Sequence, residues 1–287
     1  MFKKLKEFLY LGRLNNPTGA LLLAYPCFWG VALAKPDPNI LFYYTIAFFI
    51  GSFSMRAAGC TWNDIQDKDL DKLVMRTKNR PIASGKLTIM EGIVFIIFNS
   101  LIGIVILIML PLKAIIIAII SIPLAAIYPF TKRISYFPQI WLGVTFNIGL
   151  LIGYSTITKN YPPIEIFLMY VGAIFWTIGY DTMYAIQDYK DDIKHNIKSS
   201  AAKMKEYSGI FASICYVFSS IIFFIAISMN QSGFIPLTFV VLTGIWQAYS
   251  SLTTGISDTT KALKNFRISS ISGLVIWLAI VLDLFIK

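Results

Sequence analysis

Nine stretches of this chain, at about 18–34, 40–62, 89–110, 112–131, 138–157, 164–187, 208–230, 233–256 and 268–286, are apolar on all sides for the better part of 20 residues. Segments of that length and uniformity become helices that cross a bilayer. Strands of a membrane barrel would alternate polar and apolar residues, and these do not. Composition agrees, with 56% hydrophobic residues, 14% charged residues and a mean hydropathy of +0.68. The expected fold class is an all-α polytopic membrane protein of about nine transmembrane helices, forming one membrane-embedded domain over 1–287. Pro36-Asp37-Pro38-Asn39, Pro111, Pro162-Pro163 and Ser232-Gly233 mark short connections between spans.

The net charge of +10 does not point to nucleic acid, because the bases sit in loops where topology explains them. Lys3, Lys4, Lys6 and Arg13 lie on one side, with Lys68, Lys72, Arg76, Lys78, Arg80 and Lys86. Lys132, Arg133, Lys190, Lys194, Lys198, Lys203, Lys205, Lys261, Lys264 and Arg267 join them. The other side has Lys35, Lys113, Lys159 and Lys287. This asymmetry predicts a cytoplasmic N-terminus and cytoplasmic long loops. The segment MFKKLKEFLYLGRLNNP has no apolar stretch with a cleavage site after it and fits a cytoplasmic start; with no transit peptide in the sequence, a bacterial cell inner membrane is the expected location, and a mitochondrial enzyme trimmed of its presequence is the alternative. Cys27, Cys60 and Cys215 form no CxxC pair and suggest neither a disulfide framework nor a zinc site. Spans 2 and 6 both end in acidic clusters that lead into basic loops, an echo compatible with two four-helix halves plus a ninth helix.

The first acidic cluster is NDIQDKDLD. Asn63, Asp67 and Asp71 recur every four residues and fall on one helix face, while Asp64 and Asp69 are expected to point elsewhere. In the second, YDTMYAIQDYKDD, Asp181, Asp188 and Asp192 share a face, and Asp191 could join them. Carboxylates converging at the end of a bundle repel one another and need cations. A hard divalent ion such as Mg2+, bridged to a phosphate group, meets that need. Bases mixed with such acids describe a polyphosphate site, and Arg76, Arg80, Lys132, Arg133 and Lys198 stand out. Arg56 lies inside span 2, two turns below Asn63. A guanidinium there faces a cavity and a partner: Asp181, a diphosphate or a substrate carboxylate. Arg13, before span 1, has similar options.

These residues resemble the UbiA-type intramembrane aromatic prenyltransferases. The family's signatures NDxxDxxxD and DxxxD match Asn63-Asp64-Asp67-Asp71 and Asp188-Asp192. RLxxPxG at Arg13, RAAGCxxND at Arg56–Asp64, RTxxRPxxSG at Arg76–Gly85, YPFxKR at Tyr128–Arg133 and YDTxYAxxD at Tyr180–Asp188 are similar to its 4-hydroxybenzoate polyprenyltransferase branch. One departure is Tyr189-Lys190, where a run of acids is expected. The resemblance implies helices around a central cavity open sideways to lipid. It implies transfer of a polyprenyl group from polyprenyl diphosphate to position 3 of 4-hydroxybenzoate in ubiquinone biosynthesis, with Mg2+.

On that reading Asn63, Asp67, Asp71, Asp188 and Asp192 hold the metal, and Arg76, Arg80, Lys132, Arg133 or Lys198 neutralise the diphosphate. Asp181 positions the phenol, Arg56 takes the carboxylate, and the membrane lipid surrounds the donor's tail. Two other readings are a UbiA-type enzyme with another acceptor, and a transporter. A transporter would place its paired acids at midplane rather than at the helix ends.

Overall fold

The computed structural model describes residues 2–286, apart from the side chains of Phe2, Lys3 and Lys132. Its helices are α1 (Phe2–Leu11), α2 (Thr18–Leu33), α3 (Pro38–Gln66), α4 (Lys68–Asp71), α5 (Ile89–Leu107), α6 (Leu112–Ile134) and α7 (Pro138–Thr158). They continue as α8 (Ile164–Ala185), α9 (Tyr189–Lys194), α10 (Ser200–Met204), α11 (Ser208–Met229), α12 (Phe234–Leu252) and α13 (Thr259–Ile286). The described residues contain no strand. Eight helices (α3, α5–α8 and α11–α13) are long and apolar enough to cross a bilayer. The expected first span is α2, a shorter apolar helix of 16 residues with Pro26 inside it.

Apolar character has two different causes in this bundle. Helix α2 is buried nearly all round and forms the centre of the core. Its Trp29 is fully buried, packs against Trp176 and Phe223 with ring centroids 5.2 and 5.5 Å apart, and donates its indole N–H to the Gly273 carbonyl at 3.0 Å. Helix α5 is equally apolar, yet only Gly92 and Asn99 are buried in it. Its apolar surface is matched to lipid rather than to protein.

Bonds between polar side chains fix the helix pairs where apolar contact with lipid would be just as favourable. Asn147 on α7 donates to the Ala173 carbonyl and the Thr177 hydroxyl on α8, at 3.1 and 2.8 Å. Tyr216 on α11 and Gln247 on α12 both meet Ser269 on α13, at 3.0 and 3.1 Å. Small residues let α2 and α7 touch: Gly30 lies against the Leu150 carbonyl, and Gly153 against that of Cys27.

Two helix starts are set by local chemistry. Thr88 and Glu91 form a reciprocal cap at the start of α5. The Asp258 carboxylate accepts the Lys261 N–H at 2.9 Å and starts α13 well before position 268. Nothing in KALKNFR breaks a helix, so Lys261, Lys264 and Arg267 ride on its first turns.

Candidate active site

Helix α3 has 29 residues, a length of about 43 Å at the α-helical rise. That exceeds the ~30 Å of a hydrocarbon layer, and the polar residues Asn63 and Asp64 fall in its last turn. The helix stops at Asp67, whose backbone leaves helical geometry at φ −99° and ψ 8°. Hydrogen bonding nevertheless continues in four-residue steps. The Asp67 N–H reaches the Asn63 carbonyl at 2.9 Å, and the Asp71 N–H reaches that of Asp67 at 2.8 Å. Asp67 and Asp71 are buried, Asn63 is half-buried, and Asp69 is exposed beside Lys72.

The second cluster is built by a similar change of step. Helix α8 gives way to a 3-10 turn over Ile186–Asp188, and α9 then carries Asp191 and Asp192 in its first turn. The two clusters meet at the same end of the bundle. Arg76 grips Asp188 with two prongs, Nε to Oδ1 at 2.7 Å and Nη2 to Oδ2 at 2.5 Å, while its Nη1 donates to the Tyr184 hydroxyl at 2.8 Å. Asp191 accepts the Met75 backbone N–H at 2.8 Å. Asp192 is buried. Burial opposes the Arg76 charge, but Asp188 outweighs it and keeps the guanidinium firmly protonated.

A second network lies beside the first. Arg80 Nη1 reaches both Asp71 oxygens at 3.0 and 2.9 Å and the Asp64 Oδ1 at 3.1 Å. Arg13, from the loop between α1 and α2, reaches both Asp64 oxygens at 2.7 and 2.8 Å. Burial pushes the Asp71 carboxyl above the usual carboxylate range; Arg80 pulls the other way, and Asp64 and Asp67 add to the rise.

Deeper along α3, about 10 Å below Asn63 by helix geometry, Arg56 lies with its guanidinium carbon 5.1 Å from the Phe146 ring centroid and close to Gly19. Its Nε is buried and has no hydrogen-bond partner. Among the described residues no acid comes within ion-pair distance of it; Asp181, Tyr128, Tyr180 and Tyr184 stand within electrostatic reach.

The remaining expected bases sit at the rim. Arg133 is exposed and donates to the Gln66 carbonyl at 3.1 Å. Lys198 donates to the Ile134 carbonyl at 3.0 Å and lies over the Tyr136 ring. Both bind helix-end carbonyls rather than an acid. The side chain of Lys132 lies outside the described residues.

Three participants escaped the sequence reading. Asp64 is expected to point away from Asn63, Asp67 and Asp71, yet it shares Arg80 with Asp71, seven residues on, the same near-whole-turn step that groups Asp181 with Asp188. Tyr184 lies within the YDTxYAxxD segment but is given no role of its own there. Trp62 donates to the Ala126 carbonyl at 3.1 Å and ties α3 to the stretch of α6 between Pro123 and Pro129. No pattern in the sequence signals that bond.

Asn63, Asp67, Asp71, Asp188 and Asp192 offer oxygen donors only, without thiol or imidazole, and their chemistry fits a hard divalent ion. Among the described residues no three acids are yet grouped around one point. Asp71 and Asp188 face Arg80 and Arg76 instead.

The UbiA prenyltransferase family profile matches residues 23–271. The chain is 36% identical over 257 residues to a mitochondrial 4-hydroxybenzoate polyprenyltransferase of Arabidopsis thaliana, covering 87% of this chain and 59% of that protein. It is 35% identical to the mitochondrial 4-hydroxybenzoate polyprenyltransferase of Bos taurus, covering 98% and 76%. It is 37% identical to a 4-hydroxybenzoate octaprenyltransferase of a Marinomonas species, covering 74% of each. In fold it resembles a UbiA homolog from Aeropyrum pernix, with a TM-score of 0.73 at 20% identity over 92% of this chain and 97% of that one. A UbiA homolog from Archaeoglobus fulgidus, solved bound to GPP and Mg2+, has a TM-score of 0.65 at 16% identity over 96% and 99%. The chain belongs to the UbiA prenyltransferase family and, within it, groups with the 4-hydroxybenzoate polyprenyltransferases.

Proposed function

We propose that the chain transfers a polyprenyl group from polyprenyl diphosphate to carbon 3 of 4-hydroxybenzoate, a step of ubiquinone biosynthesis. We further propose that it acts with Mg2+ at the cytoplasmic face of a bacterial inner membrane. The observation that carries the substrate assignment is Arg56. It is a buried guanidinium with an unpartnered Nε, set below a crown of acids and arginines. A small aromatic acid offers the carboxylate such a group lacks, while the crown suits a diphosphate. The relatives' shared acceptor, 4-hydroxybenzoate, has that carboxylate opposite its phenol.

Asn63, Asp67, Asp71, Asp188 and Asp192 are the residues that would hold the metal. Bound to the donor, Mg2+ draws charge from the diphosphate and improves it as a leaving group. The protein's own groups do the rest. Arg76 and Arg80 turn from Asp188 and Asp71 toward phosphate oxygens, freeing those carboxylates. The carbon–oxygen bond of the donor breaks with its electron pair going to the diphosphate. The resulting allylic cation is kept from water by the bundle, and aromatic faces such as Phe146 and Tyr184 stabilise it. Arg56 orients the acceptor so that the carbon beside its phenol attacks. Asp181 holds the phenol, and the ring proton leaves to a carboxylate or to the released diphosphate. Arg133 and Lys198 at the rim add positive charge around the diphosphate.

The test is a membrane assay with radiolabelled 4-hydroxybenzoate and polyprenyl diphosphates of several lengths. It is run with Mg2+, with EDTA, and with Asp67→Ala and Asp188→Ala variants. A lipid-extractable product that needs Mg2+ and vanishes in both variants is the expected result. Product with another aromatic or lipid acceptor but none with 4-hydroxybenzoate would overturn the substrate assignment.

A further inference from the structure

Asp64 belongs to the first acidic signature, yet its surroundings differ from those of its neighbours. Its carboxylate is 1% exposed, and both oxygens are occupied by Arg13. Arg80 occupies Oδ1 as well. We propose that Asp64 is not a metal ligand but a positioning residue, which tethers Arg13 and Arg80 in place for the diphosphate of the donor. The proposal rests on the polyprenyl diphosphate reading given above.

Three features make the tether stiff. Arg13 takes up a left-handed backbone conformation, with φ 58°. Its Nη1 donates to the Tyr10 and Leu11 carbonyls at 2.9 and 3.3 Å, capping the end of α1 while Nη2 grips Asp64. The guanidinium is therefore held on two edges, and its planar fork suits that role better than a lysine would. Arg80 is shared by Asp64 and Asp71 through a single nitrogen.

The sharing has a consequence for loading. When Asp71 turns to the metal, Arg80 loses one partner and keeps the other. An arginine held by Asp64 stays beside the departing carboxylate, with its remaining N–H groups free for phosphate. Without Asp64, both arginines would lose the anion that orients them. Two guanidinium groups around one carboxylate also leave a net positive charge beside the metal acids, which is the sign a diphosphate needs.

The experiment compares purified Asp64→Asn, Asp67→Asn and Arg13→Gln with wild type in detergent. Mn2+ affinity is read by electron paramagnetic resonance, and KM is read for each substrate. Asp64→Asn is expected to keep Mn2+ affinity within about twofold and to raise KM for the polyprenyl diphosphate about tenfold or more, leaving KM for 4-hydroxybenzoate unchanged. Asp67→Asn is expected to weaken Mn2+ at least about tenfold. Asp64→Asn combined with Arg13→Gln should be little worse than the more damaging of the two single variants, because the Arg13–Asp64 contact is shared by both. Loss of Mn2+ affinity in Asp64→Asn to match Asp67→Asn, or full additivity of the double variant, would overturn the proposal. If Asp64→Asn does not fold, Arg13→Gln decides, since its KM for the diphosphate must rise with Mn2+ affinity intact. Wild type that binds Mn2+ but prenylates no acceptor would count against the proposed reaction, while the Mn2+ contrast would still decide whether Asp64 is a ligand.

Discussion

Arg76 and Asp188 stand 112 positions apart in the chain and meet through two hydrogen bonds, of 2.7 and 2.5 Å. This pair fastens the loop after the first acidic segment to the second. The same guanidinium stacks 4.9 Å from the Tyr184 ring centroid and donates to its hydroxyl. One side chain thus links the two acidic segments.

Replacing Arg76 separates charge from shape. Arg76→Lys keeps a cation but cannot engage both Asp188 oxygens and Tyr184 in one plane, and is expected to lower kcat/KM about 10- to 100-fold. Arg76→Ala, which also removes the charge, should lose roughly 1000-fold, the scale of deleting a donor that stabilises a transition state. Tyr184→Phe removes a single hydrogen bond and should cost about fivefold. Initial rates on one membrane preparation per variant check the order; equal losses in the lysine and alanine variants would show that geometry alone matters.

The arginines also bear on what happens without metal. Asp64, Asp71 and Asp188 are already countered by Arg13, Arg80 and Arg76, so the acids do not need an ion in order to fold together. Stripping divalent ions with EDTA is expected to abolish turnover while preserving helical circular dichroism and a cooperative melt. A midpoint within about 5 °C of the Mg2+-loaded protein is expected, since an ion present near its Kd adds less than about 1 kcal/mol. Collapse of the melt on chelation would mean that the ion pairs do not hold the crown together.

How far the sequence could be read depended on whether a feature is periodic or relational. Helix positions followed from runs of apolar residues, and the first and second acidic segments from steps of four and seven. The different fates of α2 and α5 did not, because lipid and protein interior select the same side chains. Asp64 shows the other limit. Its face could be computed, but that it belongs to Arg13 and Arg80 depends on two loops whose return paths no periodicity encodes. Arg133 and Lys198 donate to the Gln66 and Ile134 carbonyls, and helix-end carbonyls that take up such bases leave no pattern in the sequence.

Arg56 makes a prediction about specificity rather than rate. A site that pairs a buried guanidinium with a carboxylate rejects analogues that lack one, because its own donors are then left unmatched. Wild type should prefer 4-hydroxybenzoate over 4-hydroxyacetophenone by a factor of roughly 100 or more in kcat/KM. Arg56→Gln should erase most of that preference by raising KM for the acid, with KM for the prenyl donor little changed. An unchanged ratio in the variant would move the carboxylate to another residue.

The last prediction concerns the helix packing around Arg56. Helix α2 is short and central, and it touches α7 backbone to backbone. A Cβ at Gly153 would run into the Cys27 carbonyl and reach the Val31 nitrogen at 3.1 Å; one at Gly30 would strike the Leu150 carbonyl. Backbone cannot rotate away as a side chain can, so alanine at either position must push the helices apart. The expected cost is about 3 kcal/mol, at the upper end for overpacking in a tight core. Phe146, which stacks on Arg56, is on the displaced helix, so KM for the acceptor should rise as stability falls. Gly59 supplies the control. A Cβ there meets nothing within 4 Å, and in a helix interior alanine is favoured over glycine by up to about 1 kcal/mol. Gly59→Ala should therefore be neutral or stabilising. Unfolding midpoints in a denaturing-detergent titration rank the three variants. If Gly30→Ala and Gly153→Ala unfold no earlier than Gly59→Ala, close α2–α7 contact is not what holds the acceptor side of the site.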